Sequence, residues 1–228
     1  MRGAGLYALM RSARVALERP GWNMVPYLGR SAQPLPIALG SIDGVYTTVY
    51  GYDSADSADP WAVYDRDVPA WVNDLQGLEP ERSYWINATR AVTISFPAAL
   101  NTLPEQEASA TAGVPIPPTT FYGAVTMDSG VVPPAGTLVL ALIGGRVCGE
   151  GRTLLQEGRA VYVVDVLADD GGAATGCGVP GRSVDFRVGA QTFAVGVPWN
   201  NNRPRLVTLG ARASVFLPLL RRADENQR

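Results

Sequence analysis

The chain has 228 residues with 19 basic and 21 acidic side chains, a formal charge of −2, and is 46% hydrophobic and 18% charged. Such a composition closes a core, excludes wholesale disorder and supplies no cationic field for nucleic acid. Histidine and lysine are both absent and cysteine occurs twice, which excludes Ser-His-Asp and Cys-His catalysis, histidine-ligated or four-cysteine zinc, lysine Schiff bases and the P-loop.

Residues 1–13 are an N-terminal segment in which one arginine, Arg2, precedes a short, mostly apolar stretch ending at Met10. The stretch is at the short edge for a signal segment, and no clean Ala-x-Ala site follows. A fragment of a longer chain, a start placed too late and a true start are three readings of it. No apolar run reaches ~18 residues, so no membrane span is expected. Residues 14–96 hold Trp22, Trp61, Trp71 and Trp85 and form a small Trp-rich α+β module. Strands are expected over 14–17, 23–27, 45–52, 61–64 and 83–96, the clearest being Val45-Tyr46-Thr47-Thr48-Val49-Tyr50 between Gly44 and Gly51. Short helices are expected over 35–42, after Pro34, and over 70–75, after Pro69, where Trp71, Leu75 and Leu78 stand at i, i+4 and i+7.

Residues 97–118 are rich in Pro, Ala and Thr and end in Gly113-Val114-Pro115-Ile116-Pro117-Pro118, a stiff linker. Residues 119–209 read as all β, with strands over 121–126, 137–143, 152–155, 160–167, 183–188, 192–197 and 205–209. Leu138 to Ile143 is apolar on both faces, whereas Val184, Phe186 and Val188 alternate with Asp185 and Arg187. The fold class is therefore mainly β, with an immunoglobulin-like or transthyretin-like β-sandwich following the Trp-rich module. Residues 210–228 carry an apolar segment and a polar tail. Val215, Phe216, Leu217, Leu219 and Leu220 need cover there and are expected to make an assembly contact or to serve as a sorting signal.

Cys148 and Cys177 both lie in glycine-rich stretches expected to be turns. An even pair in such loops reads as a disulfide in an oxidising compartment, with two free thiols as the alternative. Asp53, Asp56 and Asp59 recur every third residue and offer oxygens for calcium, though without EF-hand spacing. The plainer reading is a solvated turn whose aspartates cap backbone amides. Most aromatics of the first module are expected to fill its core. Trp61, beside the aspartate loop, and Trp199, in Pro198-Trp199-Asn200-Asn201-Asn202, are expected to be the exposed ones and to offer a stacking face for sugar. Asp65, Asp67, Asp74, Glu79 and Glu81 cluster along the chain, as a carboxylate-based hydrolase requires. The Asn87-Ala88-Thr89 sequon falls inside an expected strand and reads as incidental.

Three stretches together resemble bacterial extracellular modular surface proteins. Gly21-Trp22-Asn23, Gly51-Tyr52-Asp53, Trp61-Ala62-Val63-Tyr64 and Tyr84-Trp85-Ile86-Asn87 are similar to a GWN…GYWI-type Trp-rich module, although Ser83 stands where a glycine usually precedes Tyr-Trp-Ile. The Cys148 and Cys177 surroundings are similar to a cysteine-paired β-sandwich module, and Phe216-Leu217-Pro218-Leu219-Leu220-Arg221-Arg222 looks like a C-terminal signature of such proteins. The resemblance implies location and module type and supplies no active site. The expectation is a non-catalytic, secreted or cell-surface structural or adhesive protein, with no obligatory cofactor and with itself or other surface proteins as partners. A carbohydrate-binding module for polysaccharide is the first alternative, and the carboxylate-based hydrolase is the second.

Overall fold

A computed structural model describes residues 13–96 and 115–210. Strands form where β-branched and aromatic residues concentrate. In the first half these are β1 (Ala13–Leu17), β2 (Gly21–Pro26), β3 (Gln33–Pro34), β4 (Tyr46–Tyr52), β5 (Trp61–Asp65), β6 (Gly77–Leu78), β7 (Ser83–Ala88) and β8 (Val92–Phe96). The second half contributes β9 (Thr119–Ala124), β10 (Leu138–Ile143), β11 (Arg146–Gln156), β12 (Arg159–Val166), β13 (Ser183–Val188), β14 (Gln191–Pro198) and β15 (Arg205–Leu206). The protein is mainly β, as expected.

Four antiparallel strands in the order β2-β7-β4-β5 make the main sheet of the first half, with the small pairs β1-β8 and β3-β6 beside it. The expected strand over 83–96 is two strands. The chain turns after Ala88, where the Thr89 amide donates to Val45 O at 2.8 Å, and β8 leaves to pair with β1. The two expected helices are only 3₁₀ turns, Ile37–Ile42 and Ala70–Val72. Segments this short cannot offset the cost of helix nucleation. Gly40 weakens the first, and the second ends where Asp74 and Leu75 turn their amides to Val63 O.

The second half is one continuous seven-stranded sheet, β14-β13-β10-β11-β12-β9-β15, antiparallel except for the parallel β9-β15 pair. It curls on itself, so that Phe121 of β9 and Tyr162 of β12 reach Phe186 of β13 with ring centroids 5.5 and 5.7 Å apart. Gly149 and Gly151 permit the close crossing, since a Cβ at either would run into the Asp165 or Val163 carbonyl of β12. Cys148 lies within β11 and not in the turn expected for it.

The halves meet through a shared core of Tyr50, Trp61, Val63 and Val72 from the first and Tyr122 from the second. Around it, Trp71 packs edge-on to Tyr122 at 5.8 Å, Trp85 Nε1 donates to Pro115 O, and Arg203 reaches Asp65. Residues 1–12, 97–114 and 211–228 lie outside the described residues, and with them most of the expected linker and the apolar Val215, Phe216, Leu217, Leu219 and Leu220.

Candidate functional site

The residues singled out in the sequence converge only in part: Asp53, Asp56, Asp59, Trp61, Asp74 and Glu79 border one cleft, while the cysteines and Trp199 lie elsewhere. Cys148 and Cys177 form a buried disulfide, with Cα atoms 5.4 Å apart and a separation of 29 positions along the chain. It ties the start of β11 to the loop before β13, and no free cysteine is left.

Trp61 and Trp199 are not exposed, contrary to expectation, being 3% and 2% accessible. Inward alternation along β5 places Trp61 with Val63 and Asp65. Its ring packs against Tyr50 and Tyr52 at 5.8 and 4.9 Å. Trp199 fills the second core and donates its Nε1–H to Val166 O at 2.9 Å. Neither presents a face to sugar.

Asp53, Asp56 and Asp59 border one cleft, but Asp53 and Asp56 commit their oxygens to local donors. Asp53 accepts from the Ala55 amide and from Arg82, and Asp56 accepts from the amides of Ala58 and Asp59. Amide and guanidinium donors hold the Asp53 carboxyl below its usual value. Among the described residues no three His, Cys, Asp or Glu side chains stand as a metal site needs. Asp53 and Asp56 thus cap backbone amides within the turn.

What the fold does bring together is a set of carboxylates at the junction of the halves. Asp59 precedes β5, Asp74 follows the Ala70–Val72 turn, and Asp165 projects from β12; all three line a cleft of about 480 Å³ with Trp71, Glu150 and Arg152. Asp59 and Asp74 also line a second cleft of about 620 Å³ that holds Tyr52, Asp53 and Arg82. Asp74 Oδ1 accepts the Val63 amide at 2.6 Å and so caps the open side of β5.

Asp165 ends a chain of hydrogen bonds across the junction. The Thr120 hydroxyl, fully buried, donates to Asp165 Oδ1 at 2.5 Å and lies 2.6 Å from the Tyr50 hydroxyl. A hydroxyl has one proton, so Tyr50 donates to Thr120, and the Thr120 amide returns a bond to Tyr50 Oη at 3.2 Å. Burial, reinforced by Asp74 and Asp59, pushes the Asp165 carboxyl up to about 7. Burial raises Asp74 and Asp59 as well: much of each residue faces solvent, but the carboxyl itself is partly withdrawn from water. A carboxyl that keeps its proton near neutrality beside others that ionise is the division of labour required for general acid–base chemistry.

A second junction contact involves Asp65, whose side chain is fully buried. Arg203 Nη2 and Nε donate to its two oxygens at 2.9 and 3.2 Å, Thr48 Oγ1 donates at 2.8 Å and the Asp67 amide at 2.9 Å. Of the other clustered acids, Asp67 shares Arg203 and Glu79 pairs with Arg82. Asn87 of the sequon is buried and donates to Asn202 O at 2.7 Å, which leaves its amide nitrogen committed inside the fold.

Sequence reasoning missed Asp165. Its signal was a lone carboxylate in the apolar run Ala160-Val161-Tyr162-Val163-Val164-Asp165-Val166. No protein-family model, curated protein or solved structure matches the chain.

Proposed function

We propose that the protein is a non-catalytic structural or adhesive component of a secreted or cell-surface assembly, joined to other copies of itself or to other surface proteins by strand addition. The observation that carries this reading is the outer edge of β14, which has no strand partner among the described residues. An edge strand offers a row of backbone donors and acceptors to an incoming strand. The register shift between Val184 and Phe186 leaves Ala194, Val195 and Gly196 exposed beside that edge. The buried disulfide is compatible with an oxidising compartment, and no described helix is long and apolar enough to cross a membrane. The resemblance to bacterial extracellular modules, and the immunoglobulin-like or transthyretin-like kinship of the curled sheet, belong to the same reading. Negative-stain electron microscopy of the full chain beside Val195→Lys tests it. Filaments, sheets or discrete oligomers lost in the variant are expected; dispersed single particles from both would overturn the reading.

The carboxylate-lined cleft favours a second reading, a carboxylate-based hydrolase with Asp165 as the proton donor and Asp59 or Asp74 as the ionised partner. Turnover of glycoside or ester substrates that is abolished by Asp165→Asn would support it. No turnover across both classes would remove it.

A further inference from the structure

We propose that Asp165 is the sensor of an acid-strengthened latch between the two halves: while protonated it faces the carboxylates of Asp59 and Asp74 across their shared cleft without repulsion, and loss of that proton weakens the junction. The placement carries the inference. Asp165 belongs to the second half, while the two carboxylates that share its cleft, Asp59 and Asp74, belong to the first. Thr120 of β9 and, through it, Tyr50 of β4 face Asp165 from the other side and tie it to the first half by hydrogen bonds. Along the cleft wall, β11 contributes Glu150 and Arg152. Arg152 is turned to Glu150, at 4.0 Å, and to Gly136 O, at 3.1 Å. Among the described residues no arginine pairs with Asp165.

The hydrogen-bond chain tolerates both protonation states, because the Thr120 and Tyr50 hydroxyls can each rotate to donate or accept. What titration changes is charge. Once ionised, Asp165 faces the carboxylates of Asp59 and Asp74 across a cleft whose cation, Arg152, is engaged by Glu150 and Gly136 O, and like charges in partly desolvated surroundings repel. In the unfolded chain an aspartate ionises near ~3.9, whereas burial and the neighbouring carboxylates carry Asp165 up to about 7 in the folded one. The folded state therefore holds this proton more tightly. Its contribution to stability is complete below the unfolded value and is lost as pH rises through the folded one. The Arg203–Asp65 contact spans the same junction with a cation that stays charged throughout this range, so the latch loosens against a fixed tether.

Thermal melts of the full chain from pH 4.5 to 8.5 at constant ionic strength, with Asp165→Asn and Asp74→Asn alongside, test the latch. The wild-type Tm is expected to fall by about 5 °C or more as pH rises from 4.5 and to level off near pH 7. Asp165→Asn flattens that fall, and Asp74→Asn, by removing a like charge, makes it level off at lower pH. Hydrogen exchange corrected for intrinsic rate should show Tyr46–Tyr52 and Thr119–Ala124 losing roughly tenfold more protection above the transition than Leu138–Ile143. A wild-type Tm that holds or rises from pH 5 to 8.5, or an unchanged slope in Asp165→Asn, would overturn the proposal. Should Asp165→Asn not fold, an Asp74→Asn variant whose Tm levels off at the same pH as wild type would overturn it alone.

Discussion

Replacing Arg203 with methionine removes a guanidinium that holds both oxygens of Asp65, at 2.9 and 3.2 Å, from 138 positions away in the chain. Asp65 is fully buried, so the change strands a carboxylate inside the junction. Removing one partner of a buried ion pair costs about 3–5 kcal/mol when nothing else satisfies the charge. Here Thr48 Oγ1 and the Asp67 amide still donate to it, and the Arg203 side chain is 42% exposed. Screening at the open end and the remaining donors lower the expected loss to about 2 kcal/mol. For a chain of this size that is a fall in Tm of roughly 4–8 °C. Methionine keeps much of the packing of the arginine stem, so the loss reports on charge and hydrogen bonding. Thermal melts of wild type, Arg203→Met, Asp65→Asn and the double variant form a cycle, with a coupling of about 1–2 kcal/mol expected. Single effects that simply add, or an Arg203→Met Tm within about 1 °C of wild type, would refute the account of this contact.

Two further changes test the second half. Reducing the Cys148–Cys177 bond, which closes a loop of 29 positions, or replacing both cysteines with alanine, should cost about 3–4 kcal/mol on the chain-entropy model; identical melts with and without reductant would contradict it. Gly178→Ala places a Cβ against the Trp199 indole, which has no room to retreat from its bond to Val166 O. It should lower Tm by several times more than Gly172→Ala, where only the Asp170 side chain stands near, and equal effects would refute this packing.

The strands were legible because their cores are runs of β-formers bounded by glycine and proline, and Ser183–Val188 falls where its alternation places it. Pairing was not legible. Nothing local states that the strands after residue 119 join one curled sheet, since curl depends on Gly149 and Gly151 meeting a strand that follows them. Burial of Trp61 had a readable sign in the alternation of Trp61, Val63 and Asp65, but the adjacent aspartates pointed the other way. Trp199 sits among asparagines and is buried by partners from β12 and from the loop around Gly178. The disulfide was visible as an even pair, while its position within a strand was hidden by the glycines around it. Asp165 takes its character from burial and from Asp74, with Thr120 bonded to it, and Asp65 is held by Arg203. The nearest of these three along the chain is 45 positions from the aspartate it serves, and proximity of that kind is a property of the fold alone.

Sedimentation velocity of the oxidised full chain across a hundredfold range of concentration, beside Val195→Lys, addresses the assembly reading most directly. Species heavier than the 24.2 kDa protomer that grow with concentration and are depleted in the variant are the predicted result. A single protomer boundary at every concentration, the same in both proteins, would contradict it.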